Sequence, residues 1–323
     1  MAFSTETTAQ RRRFSLRWLG EARIAALFFF TLLVINVVLT PGRFAPTQLG
    51  VLFGLAAPLI LATMAATPVI LSGGGGIDIS VGPLMALINA LIIQVLIVNN
   101  GITSPLAILP AILLAGLASG LLNGFLSVVV RIQPIVATLG TYLIYSGLTI
   151  YIMPAPGGSV PDWMATLSSS ASIVPIIAVA AAWFAITRLP YYEHLMATGG
   201  DARATYTSGV PIVWVRLIAY ALTGMFAAVA GLSLTALLGS GDPNVGQQYT
   251  LTAIAATALG GVSLAGGRGG IVGAILGASS IFLMQNLLIY FNVSTFLLQM
   301  AYGTILVVAV VLNSEVVKRK LGQ

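Results

Sequence analysis

The sequence has no cysteine, a single histidine and only eight acidic residues in 323. Without cysteine there is no disulfide framework, no thiol nucleophile and no thiolate-bound metal. His194 stands beside Glu193 alone, and a metal site needs several such ligands. Nor do so few ionisable groups assemble a nucleophile, a base and an orienting partner. No catalytic, cofactor-binding or metal-ligating residue is therefore assigned, and the chain is not expected to be an enzyme. Charged residues make up 7% of the chain, against about 25% in a soluble domain. A soluble core cannot absorb the apolar surface that this composition implies.

What is present is apolar. Hydrophobic residues account for 58%, and the mean hydropathy is +1.01. The expected fold class is an all-α integral membrane protein. A span needs about 20 mostly apolar residues, and ten candidates can be placed, near 22–40, 48–71, 83–98, 105–130, 134–153, 172–189, 212–238, 249–262, 270–290 and 295–313. Segments 83–98 and 249–262 are short, and short or interrupted spans point to a transport path. The apolar run after the N-terminal arginines reads as an uncleaved first span, since no small-residue cleavage site follows it. The domain reading is a tail at 1–21, a transmembrane domain at 22–313 and a tail at 314–323.

An even number of spans puts both termini on one side. With that side cytoplasmic, the N-terminal arginines (Arg11, Arg12, Arg13, Arg17 and Arg23), Arg131, the Arg188–Arg216 loop, Arg268 and the Lys318-Arg319-Lys320 tail all fall inside. Only Arg43 falls outside. This is the positive-inside pattern. The net charge of +6 accordingly needs no nucleic-acid partner, because no aromatic-rich soluble face accompanies the arginines.

Asp78 is the only carboxylate between Glu21 and Asp162, and it sits in Leu71-Ser-Gly-Gly-Gly-Gly-Ile-Asp-Ile-Ser-Val-Gly82. Glycine runs hold a helix poorly. Irregular backbone at membrane depth survives only where protein buries it or where it lines a watery cavity. The segment Ser72, Gly73, Gly76, Asp78, Ser80 and Gly82 is therefore expected to break a span. Asp78 would order the break by accepting bonds from neighbours such as Ser72 and Ser80. A surface turn with a solvated aspartate is the plainer alternative.

The longest inside loop, 190–211, contains Gly199-Gly200, which can end one short helix, and Asp201, which can cap the next. Gly209 ends that second helix. A compact helix of this kind suits a groove on a partner protein, and a solvated connector is the alternative. A third glycine-rich stretch, Leu259–Gly273, lacks the Lys-Ser/Thr of a phosphate loop and is expected to be a tight turn between closely packed spans. Among polar residues inside spans, Asn89, Asn123, Tyr142 and Asn286 could line a route for a hydrophilic solute, or could serve as interhelical glue. No acid falls clearly at mid-membrane, where proton- or sodium-coupled carriers place ionisable groups. The energy for uphill transport then comes from elsewhere.

Three segments together resemble the permease subunits of bacterial ATP-binding-cassette importers for simple sugars, the ribose/xylose/autoinducer-2 type. They are 72–82, Gly-Gly-Asp-Ala-Arg-Ala-Thr-Tyr-Thr-Ser-Gly-Val at 199–210, and Ala-Leu-Gly-Gly-Val-Ser-Leu-Ala-Gly-Gly-Arg-Gly at 258–269. The resemblance implies a multi-pass permease of the bacterial inner membrane, paired with a second copy or a paralogue. A cytoplasmic ATPase would bind ATP and Mg, and a periplasmic sugar-binding protein would deliver substrate. It also implies a coupling helix near 197–210, with Ala197, Gly199, Gly200, Asp201, Ala202, Ala204, Ser208 and Gly209 at the ATPase. Two departures stand out. The glycine run is two residues longer than the family's, and Thr250 and Thr252 replace acids common in that family. The sequence thus points to import of a sugar or sugar-like polyol by alternating access. A stand-alone secondary carrier for a small neutral solute is the rival.

Overall fold

The computed structural model describes residues 17–293 together with Leu297, Met300, Gly303 and Thr304. Most of the expected span at 295–313, the arginines at 11–13 and the Lys318-Arg319-Lys320 tail lie outside this set. Among the described residues the regular structure is helical: α1 (Arg17–Leu39), α2 (Leu49–Leu71), α3 (Val81–Ala90), α4 (Pro105–Gly124), α5 (Pro134–Ile152), α6 (Asp162–Thr166), α7 (Ile173–Ile186), α8 (Pro190–Gly200), α9 (Ala202–Thr207), α10 (Ile212–Leu238), α11 (Gln247–Leu259) and α12 (Ile271–Tyr290).

Six helices are long and apolar enough to cross a membrane, or seven if the bent pair α7–α8 is one span. Each expected span up to residue 290 coincides with a helix, but the lengths differ. Segment 83–98, expected to be short, forms a 19-residue span, Val81–Asn99. The reason is that α3 does not stop at Ala90 but widens into a π-helix, Leu91–Asn99. α4 ends in the same way, at Phe125–Val129. α7 has only 14 residues, and its axis turns 86° into α8, where Pro190 opens the new helix without the N–H that a first turn leaves unpaired anyway.

α2 is apolar on every side, and every residue from Ala56 to Leu71 is buried. It forms the centre with α10, which packs along α2, α3 and α4. The α4–α10 contact is close because Gly116, Gly120 and Gly124 recur every four residues on α4. A Cβ at Gly116 would clash with the Gly224 carbonyl, and one at Gly120 with the Tyr220 carbonyl. Small residues at this spacing let helix backbones touch in lipid. α5 shows the inverse of soluble amphipathicity. Thr138, Thr141, Tyr145 and Thr149 are buried, while Leu139, Leu143, Ile144 and Leu148 are exposed. In a bilayer the polar stripe must face protein, because lipid offers it no partner.

Polar side chains fasten the periphery. Asn36 donates to the carbonyls of Leu32 and Leu283 at 2.8 and 3.1 Å, and Asn286 donates to the side-chain oxygen of Asn36 at 2.8 Å. Arg43 donates to the side-chain oxygen of Asn286. These bonds pin α1 and the turn after it to α12. They also give the one arginine that broke the charge pattern a structural role.

Candidate functional site

The site is built on the break between α2 and α3. Gly73, Gly74 and Gly75 lie at φ +68°, +65° and +73°, three successive left-handed residues that only glycine occupies routinely. The chain reverses there and then runs irregularly through 76–80 before α3 begins. Its unpaired backbone and polar groups have to find partners inside the protein.

They find them on three other helices. The Asp78 carboxylate is 4% exposed. Its Oδ1 accepts from the Ser80 backbone N–H at 2.8 Å and from the Ser80 hydroxyl at 2.7 Å. Its Oδ2 accepts from the Asn123 amide of α4 at 3.1 Å, and the same amide donates to the Ser80 hydroxyl at 2.8 Å. Thr141 of α5 donates to the Asn123 oxygen at 2.7 Å. Thr138, one turn earlier, accepts from the Ile79 N–H at 3.2 Å. On the other flank Thr250 of α11 accepts from the Gly82 N–H and donates to the Ile79 carbonyl, both at 3.2 Å. Asp78 is thus an internal orienting group and not a solvated turn residue. Ser72 does not join it. The Ser72 hydroxyl turns back to the Val69 carbonyl at 2.7 Å, satisfying the end of α2, so the expected Ser72–Asp78 bond is corrected.

A second feature ties this break to α8 and α9. Gly73, Gly199, Gly266 and Gly267 meet backbone against backbone. A Cβ on Gly199 would strike the Leu71 carbonyl and the Gly267 nitrogen, and one on Gly266 would strike Gly73 Cα. The Gly267 N–H donates to the Leu71 carbonyl at 3.1 Å. The three glycine-bearing segments, far apart in sequence, therefore form one knot. α9 departs from it directly. Asp201 caps this helix, accepting from the Arg203 and Ala204 N–H groups at 2.9 and 3.0 Å, and Gly209 ends it at φ +85°. Tyr191 of α8 donates to the Val215 carbonyl at 3.1 Å, which binds α8 to the first turns of α10.

The predicted polar residues separate. Asn123 lies in the Asp78 network. Asn89 sits elsewhere: it donates to Thr235 and to the Ser240 carbonyl, both at 3.1 Å, and accepts from the Asp242 N–H at 2.9 Å. It clamps the loop after α10. Asn286 belongs to the α1–α12 contact described above. Tyr142 is half-buried and its hydroxyl reaches Gln247 at 3.4 Å. Of the coupling residues, Gly199 is locked in the knot, whereas Gly200 has open space where a Cβ would stand. Thr138 and Thr141 escaped the sequence reading. Their signal was the polar stripe at helical spacing along an otherwise apolar α5. Thr250 was noted only as a missing acid. The structure gives it two backbone bonds instead.

A helical membrane protein whose central span is broken, with the break pinned by helices on either side and joined to short helices at one end, belongs to the transport class. The family comparison agrees. Residues 50–312 match the model described as branched-chain amino acid transport system / permease component, and the chain belongs to that family. It is 30% identical over 324 residues to the ribose import permease protein RbsC of Escherichia coli strain K12, covering 97% of this chain and 99% of that one. It is 32% identical over 299 residues to RbsC of Bacillus subtilis strain 168, covering 90% and 91%. With the autoinducer 2 import system permease protein LsrC of Enterobacter sp. strain 638 it shares 31% over 303 residues, covering 90% and 86%. No solved structure matches the chain. The resemblance drawn from the three segments and the family found by comparison coincide.

Proposed function

We propose that the chain is the membrane permease of an ATP-driven importer for a sugar or sugar-like polyol in the bacterial inner membrane. The observation that supports this best is the glycine knot. It joins α8 and α9, the one compact pair of helices suited to a partner's groove, to the broken span without any intervening flexible side chain. Force applied to α9 by a partner ATPase would pass through backbone to 72–82, and the break would let the span change tilt. Both termini then lie in the cytoplasm, on one side of an even number of spans. A periplasmic binding protein delivers substrate, and a second permease, a copy or a paralogue, supplies the other wall of the path. The exposed apolar faces of α4 and α5 would be shared between lipid and that second permease. Ribose and autoinducer 2, named for the relatives, define the substrate class.

The test is to purify the tagged protein from its native membranes in mild detergent and identify what accompanies it. A stoichiometric ATPase and one or two permease chains are expected, and liposomes holding the assembly should take up sugar only with ATP. A chain that comes alone and moves solute in liposomes without ATP would replace this reading with a secondary carrier.

A further inference from the structure

Beside the knot, bounded on one side by Ser72–Gly76 of the broken span, lies a cavity of about 360 Å³. Its walls include Arg131, Arg216, Ser127, Tyr220 and Gly74. Two arginines line it, and none of its lining residues is acidic. Arg216 rests on the glycine turn, where a Cβ at Gly74 would meet its guanidinium at 2.5 Å. The lengthened glycine run thus makes the room that this side chain fills. Arg131, also in the lining, holds a left-handed backbone at φ +66°, uncommon for a residue with a side chain. Three buried polar atoms lack partners: Nε of Arg216 and the hydroxyls of Ser127 and Tyr220. The two hydroxyls lie beside each other. Tyr220 is 1% exposed. Buried groups of this kind are nearly always paired, and two arginines line one space whose walls supply no acid, an arrangement suited to an anion.

We infer that this cavity binds a phosphate group. A forked guanidinium matches phosphate oxygens with two parallel bonds, and the volume leaves space for whatever the phosphate is attached to. Trp214, 65% exposed one turn from the cavity, belongs to the belt residues that settle at headgroup depth. Basic pockets between spans at that depth take lipid phosphates. The phosphate can thus come from an anionic lipid or from solution.

The measurement is native mass spectrometry of the delipidated full chain, titrated separately with short-chain phosphatidylglycerol and with inorganic phosphate. One ligand per chain is expected, with affinity falling about tenfold in Arg216→Gln and again in Arg131→Gln. Because Arg131 is exposed, its variant guards against loss through misfolding. Retention of phosphatidylglycerol without competition by phosphate identifies a lipid headgroup, and displacement by phosphate identifies a soluble phosphate. Equal binding by wild type and both variants would overturn the site. So would retention of neither ligand.

Discussion

Adding one methyl group at Gly199 tests the knot directly. The new Cβ would lie under 3.0 Å from the Leu71 carbonyl oxygen and the Gly267 nitrogen, and 2.9 Å from Gly267 Cα. All three are backbone atoms, so no rotamer change relieves the overlap. To restore ordinary contact, α8 has to move away from the α2 end by on the order of 1 Å. Overpacking of this kind costs about 1–3 kcal/mol. The displacement also strains the Gly267–Leu71 hydrogen bond, worth about 0.5–1.5 kcal/mol. Gly199→Ala should therefore lose roughly 2–4 kcal/mol. Gly200 supplies the control, because a Cβ there meets nothing within 4 Å. Thermal unfolding in detergent, followed by tryptophan fluorescence, should show Tm several degrees lower for Gly199→Ala and near wild type for Gly200→Ala. ATP-driven uptake should fall with the first and persist with the second. Indistinguishable Tm values for the two variants would refute a rigid backbone junction at this place.

Asp78→Asn places an amide donor against the Asn123 donor and should cost about 1–3 kcal/mol. Pairing it with Asn123→Asp should recover part of the loss, and a double-mutant cycle on Tm that is strictly additive would remove the bond from the account. Thr250→Val deletes the cap on Gly82 and Ile79 and should cost about 1–2 kcal/mol, with Thr250→Ser largely restoring it. Equal Tm for Val and Ser variants would show that the hydroxyl is idle. On α9, Tyr206 is 72% exposed, so Tyr206→Asp should leave Tm unchanged but reduce recovery of the partner ATPase. Full recovery of the complex would move the docking surface off α9.

Helices of this chain are easy to read because lipid imposes a length and an apolar composition on them. Their ends are harder. A π-helix has no distinct composition, so Leu91–Asn99 looked like the tail of a short span. The 86° turn after α7 is written in Arg188-Leu-Pro190, yet Pro alone does not state an angle. The Asp78 break was legible from glycine and a lone carboxylate. The partners of Asp78 were legible only in part, because Asn123, Thr138 and Thr141 lie 45 or more residues away on other helices. Gly116, Gly120 and Gly124 carried an overt spacing of four, and their meeting with Gly224 could have been anticipated. The convergence of Gly73, Gly199, Gly266 and Gly267 could not. Each glycine explains itself locally as a turn or a helix end, and only the fold discloses that all four are excluded from larger residues by one another.

That convergence also supplies a built-in reporter. The amide proton of Gly267 has one acceptor, on α2, and exchanges with solvent only when the two segments part. Deuterium uptake in a peptide spanning 264–270 therefore clocks the opening of the junction, independently of substrate and of any attached dye. Slowed or quickened labelling on adding nucleotide to the assembled transporter would read the motion of its drive end in residence times, one hydrogen bond at a time.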